Sequence, residues 1–199
     1  IGTWVLQESV RWAAQIHPAV YLSVNLSTRQ LEDPALGGMV SAALAEHGVP
    51  AKRLTLEITE SVLLDGEAEQ LARLHALRET GCRISLDDFG TGYSSLSYLQ
   101  DLPLDVLKLD MSFARRLIDG EDHHASTIIS SVATLVRGLG LDFVVEGIET
   151  PEQLGRLKRL GCQLGQGYLF AKPLPAMEAV AFASAGLPGE QVEQAQRAA

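Results

Sequence analysis

No run of this chain approaches the ~20 apolar residues that a transmembrane helix requires. An excess of positive charge is missing too. Sixteen lysines and arginines face 25 aspartates and glutamates, a formal net charge of −9. That balance excludes a broad cationic surface for a nucleic-acid duplex or an anionic membrane. A protein of this charge that handles an anionic substrate needs metal ions or a local cationic pocket. Cysteine is scarce, and Cys82 and Cys162 are too few for a disulfide framework. Each follows a glycine and leads into an apolar run, the setting of a small buried residue at a strand start. A reducing compartment is expected, with the cytoplasm as location for a chain whose parent protein a preceding segment could anchor to a membrane. None of the five histidines forms a spaced ligand pair such as HExxH. No GxGxxG or P-loop follows any apolar run, which counts against a nucleotide-binding doubly wound sheet.

The 199 residues, 46% hydrophobic and 21% charged, are enough for one sizeable core. Short apolar runs alternate with helical patterns. A helix is predicted over about 2–15, with Trp4, Val5, Val10 and Trp12 as candidate core positions. Strands are predicted at Tyr21–Leu26, Leu54–Ile58, Arg83–Asp87, Asp105–Leu109, Asp142–Glu146 and Gln166–Phe170. Between them, Asp33-Pro34 reads as cap and first turn of a helix that stops at Gly48. A second helix starts near Glu67 and stops at Gly81, with Leu71, Leu74 and Leu77 on one face. A short helix follows at about Ser94–Leu99, and a long one spans about 122–138. Thr150-Pro151-Glu152-Gln153 is a capping box with proline at N1. A last helix spans Pro175–Ala185. The barrel-forming domain is expected over 1–187, with 188–199 as a flexible tail.

Strands alternating with helices indicate parallel β/α units. Asn25, Glu57, Asp87, Lys108, Glu146 and Gln166 each fall at or near the end of a different strand. A barrel of the (β/α)8 type builds its active site from several such ends, whereas a doubly wound sheet gathers its site at one switch point. The six polar ends therefore favour the barrel. Asn25, Glu57, Asp87 and Asp88 offer oxygen donors of the kind that Mg²⁺ or Mn²⁺ prefers. A pair of ions would balance the adjacent aspartates, an arrangement suited to phosphoester cleavage. Lys108 sits between leucines in VLKLD, and a lysine in an apolar strand is rarely buried without a partner. Asp110 faces the same side, as a further polar contributor or a helix cap. Glu146 and Glu149 bracket Gly147-Ile148; one could ligate metal or take a proton from water, and the other could cap the next helix.

LTLEITES, ISLDDFGTGYSSLSYLQDLPLDVLKLD, FVVEGIET and QGYLFAKPL resemble the EAL family of bacterial cyclic di-GMP phosphodiesterases, and the likeness runs from IGTWVL to KPL. The resemblance implies an α/β fold, a modified TIM (β/α)8-type barrel. It implies two Mg²⁺ or Mn²⁺ ions and hydrolysis of one phosphodiester bond of cyclic di-GMP to linear pGpG. By position, Asn25, Glu57 and Asp87 become ligands of the first metal. Asp87 bridges to the second, which Asp88 and Glu146 complete. Lys108 contacts the catalytic water, with Glu146 also a candidate base. Glu60 matches a glutamate that supports the loop Phe89–Ser95, a dimer-coupled element, and Glu149 and Gln166 match further active-site positions. A homodimer and an upstream sensor or GGDEF domain are further expectations. The Glu-Ala-Leu motif that names the family is not present. The resemblance places it on a first strand ahead of IGTWVL, so the barrel is expected here without that first strand and helix. A catalytically inactive receptor for cyclic di-GMP, or a protein-interaction module, is the competing expectation. An enolase-type lyase also places acids and a lysine on strand ends, but an aspartate pair before GTGYSSL does not suit it.

Overall fold

The computed structural model describes residues 2–60, 67–91, 98–117 and 123–184. Its elements run α1 (Gly2–Ala13), β1 (Leu22–Asn25), α2 (Thr28–Leu31), α3 (Leu36–His47), β2 (Leu54–Thr59), α4 (Glu67–Glu79), β3 (Arg83–Phe89) and α5 (Tyr98–Asp101). They continue with β4 (Val106–Leu109), α6 (Met111–Arg116), α7 (His123–Gly138), β5 (Asp142–Val145), α8 (Pro151–Arg159), β6 (Leu164–Gly165) and α9 (Ala176–Ser184). The six strands form one parallel sheet in sequence order. Crossovers between parallel strands are right-handed, so a sheet that never reverses its order keeps its helices on one face. Such a sheet curls, and this one is a half-barrel with β1 and β6 at its edges.

Side chains alternate between the two faces of a strand. Leu54, Leu56 and Ile58 of β2, Ile84 and Leu86 of β3, and Leu107 and Leu109 of β4 are nearly or fully buried and form the core with the helices. α1 packs on β1, α4 on β3 and α7 on β5. The other face carries Ser23, Thr55, Glu57, Ser85, Lys108 and Val144, which line an open cavity of about 800 Å³.

The strand starts at Leu54, Arg83 and Asp142 match the sequence expectation, and Gly48 closes α3 in the left-handed conformation at φ 64°. Other elements differ from it. Trp4 and Val5 are exposed, and Leu6, Val10 and Ala13 supply the buried side of α1. Asp33 does not cap a helix at Pro34. Its carboxylate accepts from the Ala35 N–H at 2.9 Å and closes a turn, and α3 starts only at Leu36. Gln166–Phe170 is not a strand. Pairing ends after Leu164–Gly165, and the chain turns with the Phe170 N–H donating to the Gly167 carbonyl at 3.1 Å. The predicted positions Ser94–Ser97 and the tail lie outside the described residues.

Candidate active site at the strand C-termini

Lys108 is inward-facing on β4, between two fully buried leucines, and is itself only 5% exposed. An ammonium in that setting needs charged partners, and it has three. Its Nζ lies 3.1 Å from Glu57 Oε2, 3.0 Å from Asp87 Oδ1 and 2.6 Å from Glu146 Oε1. The carboxylates come from β2, β3 and the end of β5, so four strands in a row converge on one point. Burial works against the Lys108 charge, but the hydrogen bond to Glu146 and the charges of Glu57, Glu146 and Asp87 outweigh it and raise its pKa above the ordinary lysine value.

Asp87 and Asp88 pose a geometric problem, because neighbours on a strand point to opposite faces. The backbone resolves it. Asp88 takes a left-handed φ of 56°, alone among the described non-glycine residues, and the β3–β4 register shifts between Leu86 and Phe89. Aspartate tolerates that conformation better than most residues. The break in alternation brings both aspartates to the same side. One oxygen each of Asp87, Asp88 and Glu146 then lie within 4.8 Å of one another. Burial raises the Asp88 pKa, and the charges of Asp87 and Asp110 add to it. Glu146 is raised chiefly by burial as well, despite its bond to Lys108. Crowded carboxylates that resist ionising together form a donor set for a hard divalent cation.

The remaining expected residues fall around this centre. Asn25 ends β1 directly opposite Glu57 in the β1–β2 register and is exposed at the mouth. Glu60 follows β2, with both carboxylate oxygens buried and no hydrogen-bond partner among the described residues. The loop it is expected to support is described only to Thr91, whose hydroxyl donates to the Asp88 carbonyl at 2.9 Å. Gly92–Ser95 lie outside the described residues. Gln166 lines the cavity, and its backbone joins the end of β5: its N–H donates to Val145, and its carbonyl accepts from Ile148 at 3.0 Å. Glu149 is displaced from the centre, half exposed and 3.9 Å from Arg115. Asp110 is a cap, accepting from the Ser112 N–H at 3.0 Å at the start of α6.

The family model of the EAL domain matches residues 1–173. The chain belongs to the EAL domain family. Among curated relatives, it is 41% identical over 165 residues to the cyclic di-GMP phosphodiesterase RocR of Pseudomonas aeruginosa, covering 83% of this chain and 42% of that protein. It is 38% identical over 192 residues to the oxygen sensor protein DosP of Escherichia coli, covering 94% of this chain and 24% of the relative. The chain thus spans less than half the length of either. Among solved structures, the EAL half-barrel matches a Pseudomonas aeruginosa MucR phosphodiesterase complex with c-di-GMP at a TM-score of 0.82 and 40% identity, covering 89% of this chain and 73% of the other. It also matches a Klebsiella pneumoniae manganese and cyclic di-GMP complex at a TM-score of 0.80 and 29% identity, covering 86% and 44%.

Among the described residues, no helix is long and apolar enough to cross a membrane.

Proposed function

We propose that this EAL domain hydrolyses one phosphodiester bond of cyclic di-GMP to linear pGpG, with two Mg²⁺ or Mn²⁺ ions as cofactors. One observation carries the reading. At the strand C-termini, one ammonium faces three carboxylates, with Asp88 as a fourth beside them. This is more negative charge than Lys108 neutralises, at the position where a barrel places its chemistry. The donor set fits hard divalent cations. Asn25, Glu57 and Asp87 would hold the first, and Asp87, Asp88 and Glu146 the second. When bound, such ions neutralise phosphoryl charge and lower the pKa of water. Phosphodiesterases and cyclic di-GMP complexes among the relatives and neighbours support the substrate.

Within this reading, Lys108 stays protonated, because its carboxylate partners hold its pKa high. It therefore donates hydrogen bonds, to the attacking water or a phosphoryl oxygen, and does not serve as a base. Glu146, whose carboxylate lies 2.6 Å from the Lys108 ammonium, accepts the proton that the water gives up. The water oxygen forms the new bond to phosphorus, the bond to the 3′-oxygen breaks, and the departing oxygen gains a proton. Gln166 and Glu149 border the substrate, and Glu60 supports the loop that follows Asp88. A homodimer, an upstream sensor or GGDEF domain and a cytoplasmic location complete the proposal.

Chromatography of cyclic di-GMP incubated with the chain and Mg²⁺ or Mn²⁺ tests it. Linear pGpG from the parent chain, and none from Asp87→Ala, is the expected result. Tight dinucleotide binding without product on adding metal would replace the enzyme by a receptor.

A further inference from the structure

We infer that Gln153 is a positioning residue: its buried side-chain amide ties the Glu146–Glu149 turn to the helix that follows Lys108. The inference rests on the proposed roles of Lys108 and Glu146. Gln153 is 1% exposed. Its Oε1 accepts from two backbone N–H groups, Glu149 at 2.7 Å and Thr150 at 2.9 Å. Its Nε2 donates to the Ala114 carbonyl of α6 at 3.1 Å. Two donors on one side and a carbonyl on the other allow only one orientation of the amide. A capping box needs only the bond back to the N-cap. The bond to Ala114 is a separate tertiary link across 39 residues.

Both elements joined by this amide begin at the site. α6 starts three residues after Lys108, and the turn starts with Glu146. Between them the chains are in close contact. Gly147 has a φ of 71°, and a Cβ there would clash with Met111, the first residue of α6. Ile148 is 1% exposed, and its N–H donates to the Gln166 carbonyl while its own carbonyl accepts from Leu169 at 2.9 Å. Gln153 is the buried polar bridge in this contact; the Arg115–Glu149 pair at 3.9 Å and the Arg156–Leu117 bond are more exposed. Loss of it would let the turn move relative to α6. The 2.6 Å Lys108–Glu146 contact and the spacing of the carboxylate oxygens depend on that relation. Misplacement of about 1 Å at such a site is enough to cost much of its activity.

The test compares Gln153→Met with Leu157→Ala on the 199-residue chain. Leu157 is one turn further along α8 and 1% exposed, so its truncation lowers stability through the core. Mn²⁺ affinity by titration calorimetry is the main readout, with melting temperature beside it and kcat and KM for cyclic di-GMP. Gln153→Met is expected to weaken Mn²⁺ binding by roughly 10-fold, the scale for residues that orient metal ligands, and to lower kcat more than it raises KM. Leu157→Ala should lose melting temperature and keep Mn²⁺ affinity. Gln153→Glu keeps the acceptor for the two N–H groups and loses the donor to Ala114, so it should weaken Mn²⁺ binding as well. Unchanged affinity in Gln153→Met or in Gln153→Glu overturns the inference, as does an equal loss in Leu157→Ala. A parent chain that binds no Mn²⁺ overturns the proposed metal site and the inference with it. A parent that binds while both Gln153 variants match it overturns the inference alone.

Discussion

At the C-terminal ends of the strands, one ammonium meets three carboxylates; at the N-terminal ends, Arg78 and Arg83 each meet one aspartate, and Arg53 donates to the backbone carbonyls of Ile16, His17 and Val20. Arg78 pairs with Asp105 at 2.9 Å and Arg83 with Asp142 at 2.5 Å, all four side chains partly open to solvent. Asp105 also accepts from the Ile84 N–H, and Arg83 lies over the Tyr21 ring. These bonds balance charge locally and brace strand starts. The Lys108 group is different. Its side chain is 6% exposed, and those of its partners range from 7% to 18%. Charge there is both buried and unbalanced, a costly arrangement that packing alone does not require. Ion pairs that brace strand starts thus differ from the buried, unbalanced charge group at the position proposed for the chemistry.

Breaking the unbalanced end should have the largest effect. Lys108→Met leaves Glu57, Asp87 and Glu146 facing one another without a cation, a change of the kind that costs about 3–5 kcal/mol. Urea unfolding in chelator should show that loss, and saturating Mn²⁺ should recover part of it. Turnover should fall regardless, because the hydrogen-bond donor proposed for the attacking water or a phosphoryl oxygen is gone. A variant as stable as the parent in chelator would mean that the carboxylates do not depend on the ammonium.

The pH dependence sharpens the contrast. Lys108 has a folded pKa above its unfolded value. Its stabilisation is therefore complete at neutral pH and is lost only as the pH rises beyond the ordinary lysine range, about 10.4. Asp88 is the reverse case. Its folded pKa is also raised, but for an acid this makes folding pay a cost once the group ionises. That cost is absent below about pH 3.9, the unfolded value, and grows as the pH rises through the folded one. Asp88→Asn, which suits the left-handed backbone, should therefore be more stable than the parent at neutral pH without metal. The gap should close on acidification. A gap independent of pH would show that charge is not its source.

The balanced end should respond least. Arg83→Ala removes a partly exposed pair, and such pairs contribute about 0–1 kcal/mol. A small drop in melting temperature with unchanged Mn²⁺ affinity is expected. A loss of metal binding would show that the two ends of the sheet are coupled.

Much of this arrangement was legible in the amino-acid order. Alternating apolar runs and helical patterns identified parallel β/α units, and polar residues at successive strand ends pointed to a barrel mouth. Glycines marked helix ends, and Thr150 with Gln153 marked a helix start. Errors arose where a local signal had two uses. Asp33-Pro34 reads equally as helix cap or turn. QGYLF has strand-forming residues, but Gly165 and Gly167 lie against Ile148 with no room for a Cβ, and the chain turns there. Trp4 and Val5 are apolar, but α1 buries a different stripe.

By itself, the sequence determined the strand order of chemistry-bearing residues, since periodicity and strand-end position are local properties. Only the tertiary structure decided how Asp87 and Asp88 could serve one site, because strand alternation alone sends them apart. The register shift and the left-handed Asp88 bring them together. It also decided that Lys108 binds three carboxylates from three strands, and that Gln153 reaches Ala114. Those contacts join residues 21 to 51 positions apart, and only the curled sheet and its packed helices set such distances.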